Sequence, residues 1–202
     1  MYNGDFMKHL DFKLDIPFFV SLLILIAIIP CSVFLPKQYG FENGLFENLQ
    51  MICLLLCCIL TFKAKEHKKF FIFLFMFLII LILREVNCGR TLFFPKPGLE
   101  NAFYSWKEIP YGWLAHPIYG IYIGITVLYG LVNKIYMDIW EFLTKTKLPV
   151  WHIIFFALGL VLGLIAEKMA TNFIFEEMAE LLMYSGMFGI IYTYALGKYK
   201  EL

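Results

Sequence analysis

Residues Phe70–Leu83 read FFIFLFMFLIILIL, 14 apolar positions in succession with no polar residue on any helical face. A helix on a water-soluble domain carries an apolar stripe opposite a polar one, and this stretch offers water nothing to wet. Composition extends the point to the whole chain. Of 202 residues 61% are hydrophobic, 19% aromatic and 16% charged, where a soluble domain carries about 25% charged residues. The surface these residues make is suited to lipid.

A membrane-spanning helix needs roughly 20 residues, with a range of about 17–25. Spans are expected at about residues 16–35, 43–62, 70–87, 117–136, 149–167 and 173–196, with an outer loop over 88–116. The fold class is therefore an all-α integral membrane protein, a bundle of six transmembrane helices forming a single transmembrane domain over 1–202. Pro17, Pro117 and Pro149 fall at helix starts, where a missing N–H is harmless. Pro30 lies inside the first span and is expected to kink it. The first segment has no Ala-x-Ala cleavage pattern and is read as a retained helix.

Orientation follows from the loops. Lys8, Lys13, Lys63, Lys65, Lys68, Lys69, Lys134, Lys145, Lys147, Lys198 and Lys200 fall on one side, against Lys37, Arg84, Arg90, Lys96, Lys107 and Lys168 on the other, 11 to 6. The richer side faces the cytoplasm, so both termini are expected there, in a plasma membrane. The 88–116 loop, with Trp106, Tyr111 and Trp113, reads as an interfacial lid, and Trp140 and Trp151 supply the opposite aromatic belt. Gly120-x-x-x-Gly124 and Gly159-x-x-x-Gly163 predict close packing between the fourth and fifth spans. The expected partners are membrane lipids and not nucleic acid; the net charge of +1 itself describes no partner, and the distribution of Lys and Arg between loops carries the information.

Three apolar runs are too short to cross. Met51–Phe62 has 12 residues, Phe70–Leu83 has 14 and Leu181–Leu196 has 16, all under the ~17 minimum. Each must draw polar residues in at its outer end: Glu47 and Gln50, then Arg84, Glu85 and Asn87, then Glu176, Glu177 and Glu180. At about 100° per residue, Asn43, Glu47, Gln50, Leu54, Cys57 and Thr61 share one face. On the last span Glu176, Glu180, Tyr184 and Glu177 fall within an arc of about 100°, and Ser185 points the other way.

A carboxylate facing lipid at mid-membrane costs about 2.5–3.5 kcal/mol, so these acids are expected inside the bundle. Arg84 is the natural partner, its guanidinium being able to fork between two carboxylates. One Arg leaves an acidic surplus. The binding candidates are Glu47, Gln50, Arg84, Glu85, Asn87, Glu176, Glu177, Glu180 and Tyr184, and the candidate metal ligands are Glu47, Glu85, Glu177 and Glu180. An all-oxygen set suits a hard divalent cation such as Mg²⁺, Ca²⁺ or Mn²⁺. The same residues fit three readings: a pocket for a cation or polar lipid headgroup, serving transport or sensing; a membrane enzyme acting on lipid or isoprenoid phosphates through a carboxylate-bound metal; and a helical scaffold whose acids only anchor and pair.

Other chemistries lack their residues. Cys31, Cys53, Cys57, Cys58 and Cys88 form no C-x-x-C pair, and three of the four histidines (His9, His67, His152) fall on the side away from the acids. No G-x-S-x-G or P-loop pattern occurs, nor any Glu-x-x-His pair of the di-iron bundles.

The chain resembles a group of bacterial multi-pass inner-membrane proteins in which E-D-G-x-x-E, R-E-x-D and E-E-x-x-E recur in this order. Here the motifs read Glu42-Asn43-Gly44-Leu45-Phe46-Glu47, Arg84-Glu85-Val86-Asn87 and Glu176-Glu177-Met178-Ala179-Glu180. Asn43 and Asn87 stand where the pattern has Asp. The resemblance implies a bacterial inner membrane and supplies no activity.

Overall fold

A computed structural model describes residues 9–169 and 172–197, without the Met169 side chain. Both chain termini, and with them Lys8, Lys198 and Lys200 of the charge count, lie outside the described residues.

The described chain is mostly helical, with eight α-helices: α1 (Ile16–Phe34), α2 (Leu45–Lys63), α3 (Lys68–Glu85), α4 (Arg90–Phe93), α5 (Ala115–Val132), α6 (Ile135–Lys145), α7 (Val150–Met169) and α8 (Phe173–Ala195). Four segments, Ile16–Phe34, Lys37–Lys63, Gly112–Val132 and Val150–Lys168, are long and apolar enough to cross a membrane, and a fifth joins them if α3 and the bent piece after it count as one. α8 has 23 residues, about 34 Å at 1.5 Å per residue. Its acids and its Tyr, Ser and Thr residues lower its mean hydropathy.

α8 is the hub of the bundle. Its buried residues run from Ile174 to Ala195 and face every direction, because α1, α2 and α7 all pack on it. Glycines set how closely α7 and α8 approach. A Cβ on Gly159 would collide with the Met183 backbone and one on Gly186 with the Phe156 backbone, while Gly189 lies against the His152 ring. Lipid offers helices no hydrophobic drive to associate, so close backbone contact of this kind is what holds such pairs.

The expected pairing of the fourth and fifth spans is overturned. Gly120 and Gly124 of α5 have open space where a Cβ would stand, and Thr126 is the single buried residue of that helix. Gly159 faces α8, and a Cβ on Gly163 would stand 3.7 Å from Glu180 Cγ. α5 leans instead on α3, where Tyr119 and Tyr122 donate to the Ile80 and Met76 carbonyls at 3.3 Å each. The fourth span, expected over 117–136, is also corrected. It stops at Val132, Lys134 turns the chain with φ 54°, and α6 follows as a separate helix. In α6 only Ile135 and Phe142 are buried, while Tyr136, Met137, Trp140 and Leu143 are exposed. α1, by contrast, runs on through Pro30 to Phe34.

The helix ends sort into two sets. At the lysine-rich end, β1 (Leu10–Asp11) pairs in parallel with β2 (Leu148–Pro149) just before α7. Asp15 there accepts the Phe18 N–H at 3.1 Å, capping α1, and faces His152 Nε2 at 3.2 Å. Tyr194 near the end of α8 donates to the Lys147 carbonyl at 3.3 Å. At the other end lies the 88–116 loop. Asn172 caps α8 and donates to the Ser32 carbonyl at 2.8 Å. Gly40 lies so near the Phe173–Ile174 backbone that a Cβ would stand 2.7 Å from the Ile174 nitrogen.

Candidate functional site

The polar residues that shorten three apolar runs meet at the loop end, between α2, α3 and α8. On α2 the expected stripe holds from Glu47 onward: Glu47, Gln50, Leu54, Cys57 and Thr61 are all buried against the bundle, whereas Asn43 is exposed and precedes the helix with φ 59°. A period near 3.5 keeps one face of the helix turned inward, and the polar members of that face come at its start. α3 delivers Arg84 and Glu85 as its last residues, and the chain then bends by 57° into Asn87–Phe93. Three successive residues with positive φ make that bend, Asn87 at 44°, Cys88 at 51° and Gly89 at 89°. Asn and Gly enter this region at low cost, and Cys88 is the strained member.

Arg84 joins two helices. Its Nη2 donates to Glu180 Oε1 at 2.9 Å and its Nε lies 3.2 Å from Glu85 Oε1. Tyr184 of α8 donates its hydroxyl to the same Glu85 oxygen at 2.6 Å. The Arg84 side chain remains 52% exposed while Glu85 is 7% exposed, so the pair sits at a polar margin with its acid inward. The pairing of Arg84 with Glu180 expected from the short spans is thus present as a contact.

Beside them lie Glu47, Gln50 and Glu177. Gln50 is fully buried, and its Nε2 donates both to the Glu177 carbonyl and to Glu177 Oε2 at 2.8 Å. Glu47 accepts the Asn43 backbone N–H. Neither Glu47 nor Glu177 has an ion-pair partner among the described residues. Two further buried oxygens, Gln50 Oε1 and Thr91 Oγ1, have no hydrogen-bond partner among the described residues. An unmade hydrogen bond on a buried polar atom costs about 1–3 kcal/mol, so each such oxygen asks for a donor or a cation.

Two candidates stand apart. Glu176 is half-buried and makes no side-chain hydrogen bond among the described residues, with the Glu167 charge of α7 near enough to act on it. Asn87 turns toward Arg90, accepting from its Nη2 at 2.8 Å once the amide is oriented to suit. No three carboxylates of the proposed set Glu47, Glu85, Glu177 and Glu180 place oxygens within 4.8 Å of one another. Among the described residues that spacing is met by His67, Asp138 and Glu141, at the opposite end.

The 88–116 loop is pinned over the cluster. Asn43 Nδ2 donates to the Thr91 carbonyl at 2.6 Å, and Glu42 donates its backbone N–H to Asn101 Oδ1 at 3.1 Å. Within the loop Glu108 accepts the Ser105 N–H at 2.6 Å, and this bond, aided by Lys96, holds its carboxyl below the ordinary value of 4.5. Sequence reasoning missed Thr91, whose type and position carry no signal of its burial, and Cys53, whose thiol donates to the Tyr184 carbonyl at 3.3 Å. No family, curated protein or solved structure matches the chain.

Proposed function

We propose that the protein is a plasma-membrane protein of six transmembrane helices with cytoplasmic termini, and that its loop-end cluster is an outward-facing site for a cation, used in transport or sensing. The observation that carries this reading is Gln50 Oε1. It is a fully buried carbonyl oxygen without a donor, one turn from Glu47 and on a side chain hydrogen-bonded to Glu177, the two acids that Arg84 does not neutralise. Carboxylate and amide oxygens are the donors that a hard ion or a lipid ammonium group takes. The sorting of helix ends into two sets favours six crossings, α3 and α8 included, and the 11 to 6 distribution of Lys and Arg puts the acids outside.

An enzyme acting on lipid phosphates has less support, because a phosphate would meet the carboxylates of Glu47 and Glu177, which have no ion-pair partner among the described residues. The test is thermal unfolding of the purified protein with Mg²⁺, Ca²⁺ or Mn²⁺ in one arm. In the other it is reconstituted in phosphatidylcholine vesicles with or without phosphatidylethanolamine. One arm raises the midpoint in the wild type, by an amount equivalent to about 2.7 kcal/mol at 100 Kd, and Glu177→Gln removes the rise. If neither arm moves the wild type, the acids are anchors and the scaffold reading replaces this one.

A further inference from the structure

The lysine-rich end holds a second group of metal-ligating side chains, unconnected with the acids at the loop end. We propose that His67, Asp138 and Glu141 form a site for a divalent transition metal of the Zn²⁺ type, which ties α6 to the start of α3.

The three residues come from two elements that approach only in the fold. His67 precedes α3 with φ 47°, a left-handed turn that throws its imidazole back over α6. Asp138 and Glu141 are three residues apart on α6 and so share a face. Their ligand atoms all lie within 4.8 Å of one another. His67 Nδ1 stands 3.2 Å from Asp138 Oδ1. Two ligands of one tetrahedral zinc, each about 2.0–2.1 Å from the ion, are separated by about 3.3 Å. The pair is therefore already at the spacing the ion would impose, and Glu141 needs a side-chain rotation to complete the set.

The imidazole is fixed by its setting, since its ring lies 4.7 Å from that of Phe142, a buried residue of α6. His67 and Asp138 side chains are 24% and 25% exposed, which gives an ion a path in while keeping water partly out. One nitrogen and two carboxylates favour Zn²⁺ over Mg²⁺ or Ca²⁺, which prefer oxygen alone. Three protein ligands leave a fourth position for water, as in open zinc sites. Competing contacts are weak. Glu141 pairs with Lys145 at 3.0 Å, where both side chains are substantially exposed, and exposed pairs of this kind are worth little. Lys65, Lys68 and Lys69 flank the turn and repel a cation, so affinity rests on direct coordination and not on the local field. The role that follows is mechanical. α6 has exposed apolar residues and only two buried ones, and a metal bridge fastens it to the bundle.

The experiment strips metal from the purified full-length protein with a chelator and titrates ZnCl₂ calorimetrically, with MgCl₂ alongside. One Zn²⁺ binds, Mg²⁺ does not compete, and His67→Gln and Asp138→Asn each weaken the Zn²⁺ affinity by more than roughly tenfold. Hydrogen exchange supplies a second reading: Zn²⁺ slows the α6 amides in the wild type and leaves them unchanged in Asp138→Asn, whose amide still hydrogen-bonds His67 and keeps the turn. A wild type that takes up no Zn²⁺ overturns the proposal. So does Zn²⁺ bound equally by both variants, which would place the ion on other histidines or on the cysteines.

Discussion

α5 and α8 are both long enough to cross a bilayer, and their fates are opposite. α5 looks like a packing helix in the sequence, with a Gly-x-x-x-Gly face and few polar residues, yet both glycines look into open space and its surface is largely exposed. α8 carries three glutamates, two serine or threonine hydroxyls and four glycine or alanine positions among its buried residues or beside them, and it is enclosed on all sides. In water the apolar helix would be the buried one. In lipid an apolar surface gains nothing by leaving its solvent, whereas polar and small residues gain by meeting each other. Burial in this bundle therefore follows polarity and size, and a small-residue spacing marks an interface only where polar side chains accompany it.

Glycine substitutions give the largest test of that contrast. Gly159→Leu and Gly186→Leu push side chains into opposing backbone and are expected to destabilise the protein in detergent by about 1–3 kcal/mol or more, the range for overpacking. Gly124→Leu is expected to stay within about 0.5 kcal/mol of wild type. Equal effects at Gly124 and Gly159 would erase the distinction.

Next in size is the coupling of Arg84 with Glu180 across α3 and α8. Arg84→Gln and Glu180→Gln, singly and together, form a double-mutant cycle with an expected coupling of ~0.5–3 kcal/mol, toward the low end because Arg84 is half exposed. Strict additivity would remove the contact from any account of stability. Glu100→Gln, on the exposed loop, sets the baseline.

A smaller effect belongs to the buried contact between Ser21 of α1 and Ser185 of α8, 3.0 Å apart. Ser185→Ala is expected to cost about 0.6 kcal/mol and no more than ~1.7, as for other hydrogen bonds between membrane helices. The smallest effect concerns Glu108. Its folded-state pKa is depressed, so the order it gives the 88–116 loop is present above the ordinary carboxylate range and is lost as pH falls through the lowered value. Proteolysis within that loop should quicken on acidification in the wild type. In Glu108→Gln it should already be faster at neutral pH.

Much of the bundle was legible because span length and hydrophobic period are local properties. The ends of α1, α2, α3, α7 and α8 fall within about two residues of expectation, and the α2 stripe from Glu47 to Thr61 faces inward as its phase required. The contact of Arg84 with Glu180 followed from the argument that short spans must pull polar ends together, and Tyr184 from its helical phase, whereas the bond from Tyr184 to Glu85 was not foreseen. What failed depended on partners. Nothing in Gly120 or Gly124 tells which helix, if any, lies opposite. Glu176 shares an arc with Glu177 and Glu180 but falls on the edge toward α7. The separation of α6 from α5 hinges on Lys134 in a left-handed turn, a conformation Lys seldom signals. The meeting of His67 with Asp138 spans 71 positions of sequence and has no local signature.

An outward-facing acid site requires α8 to cross the membrane with its glutamates at the outer end. Cysteines placed singly at Phe173, which is 56% exposed, and at Gly197, in a protein whose Cys31 and Cys88 are replaced by Ser, report this directly in intact cells treated with a membrane-impermeant maleimide. Labelling at residue 173 without permeabilisation, and at residue 197 only after it, is the expected result. Labelling at residue 197 alone in intact cells would turn the acid cluster inward, and equal access at both positions would mean that α8 does not cross at all.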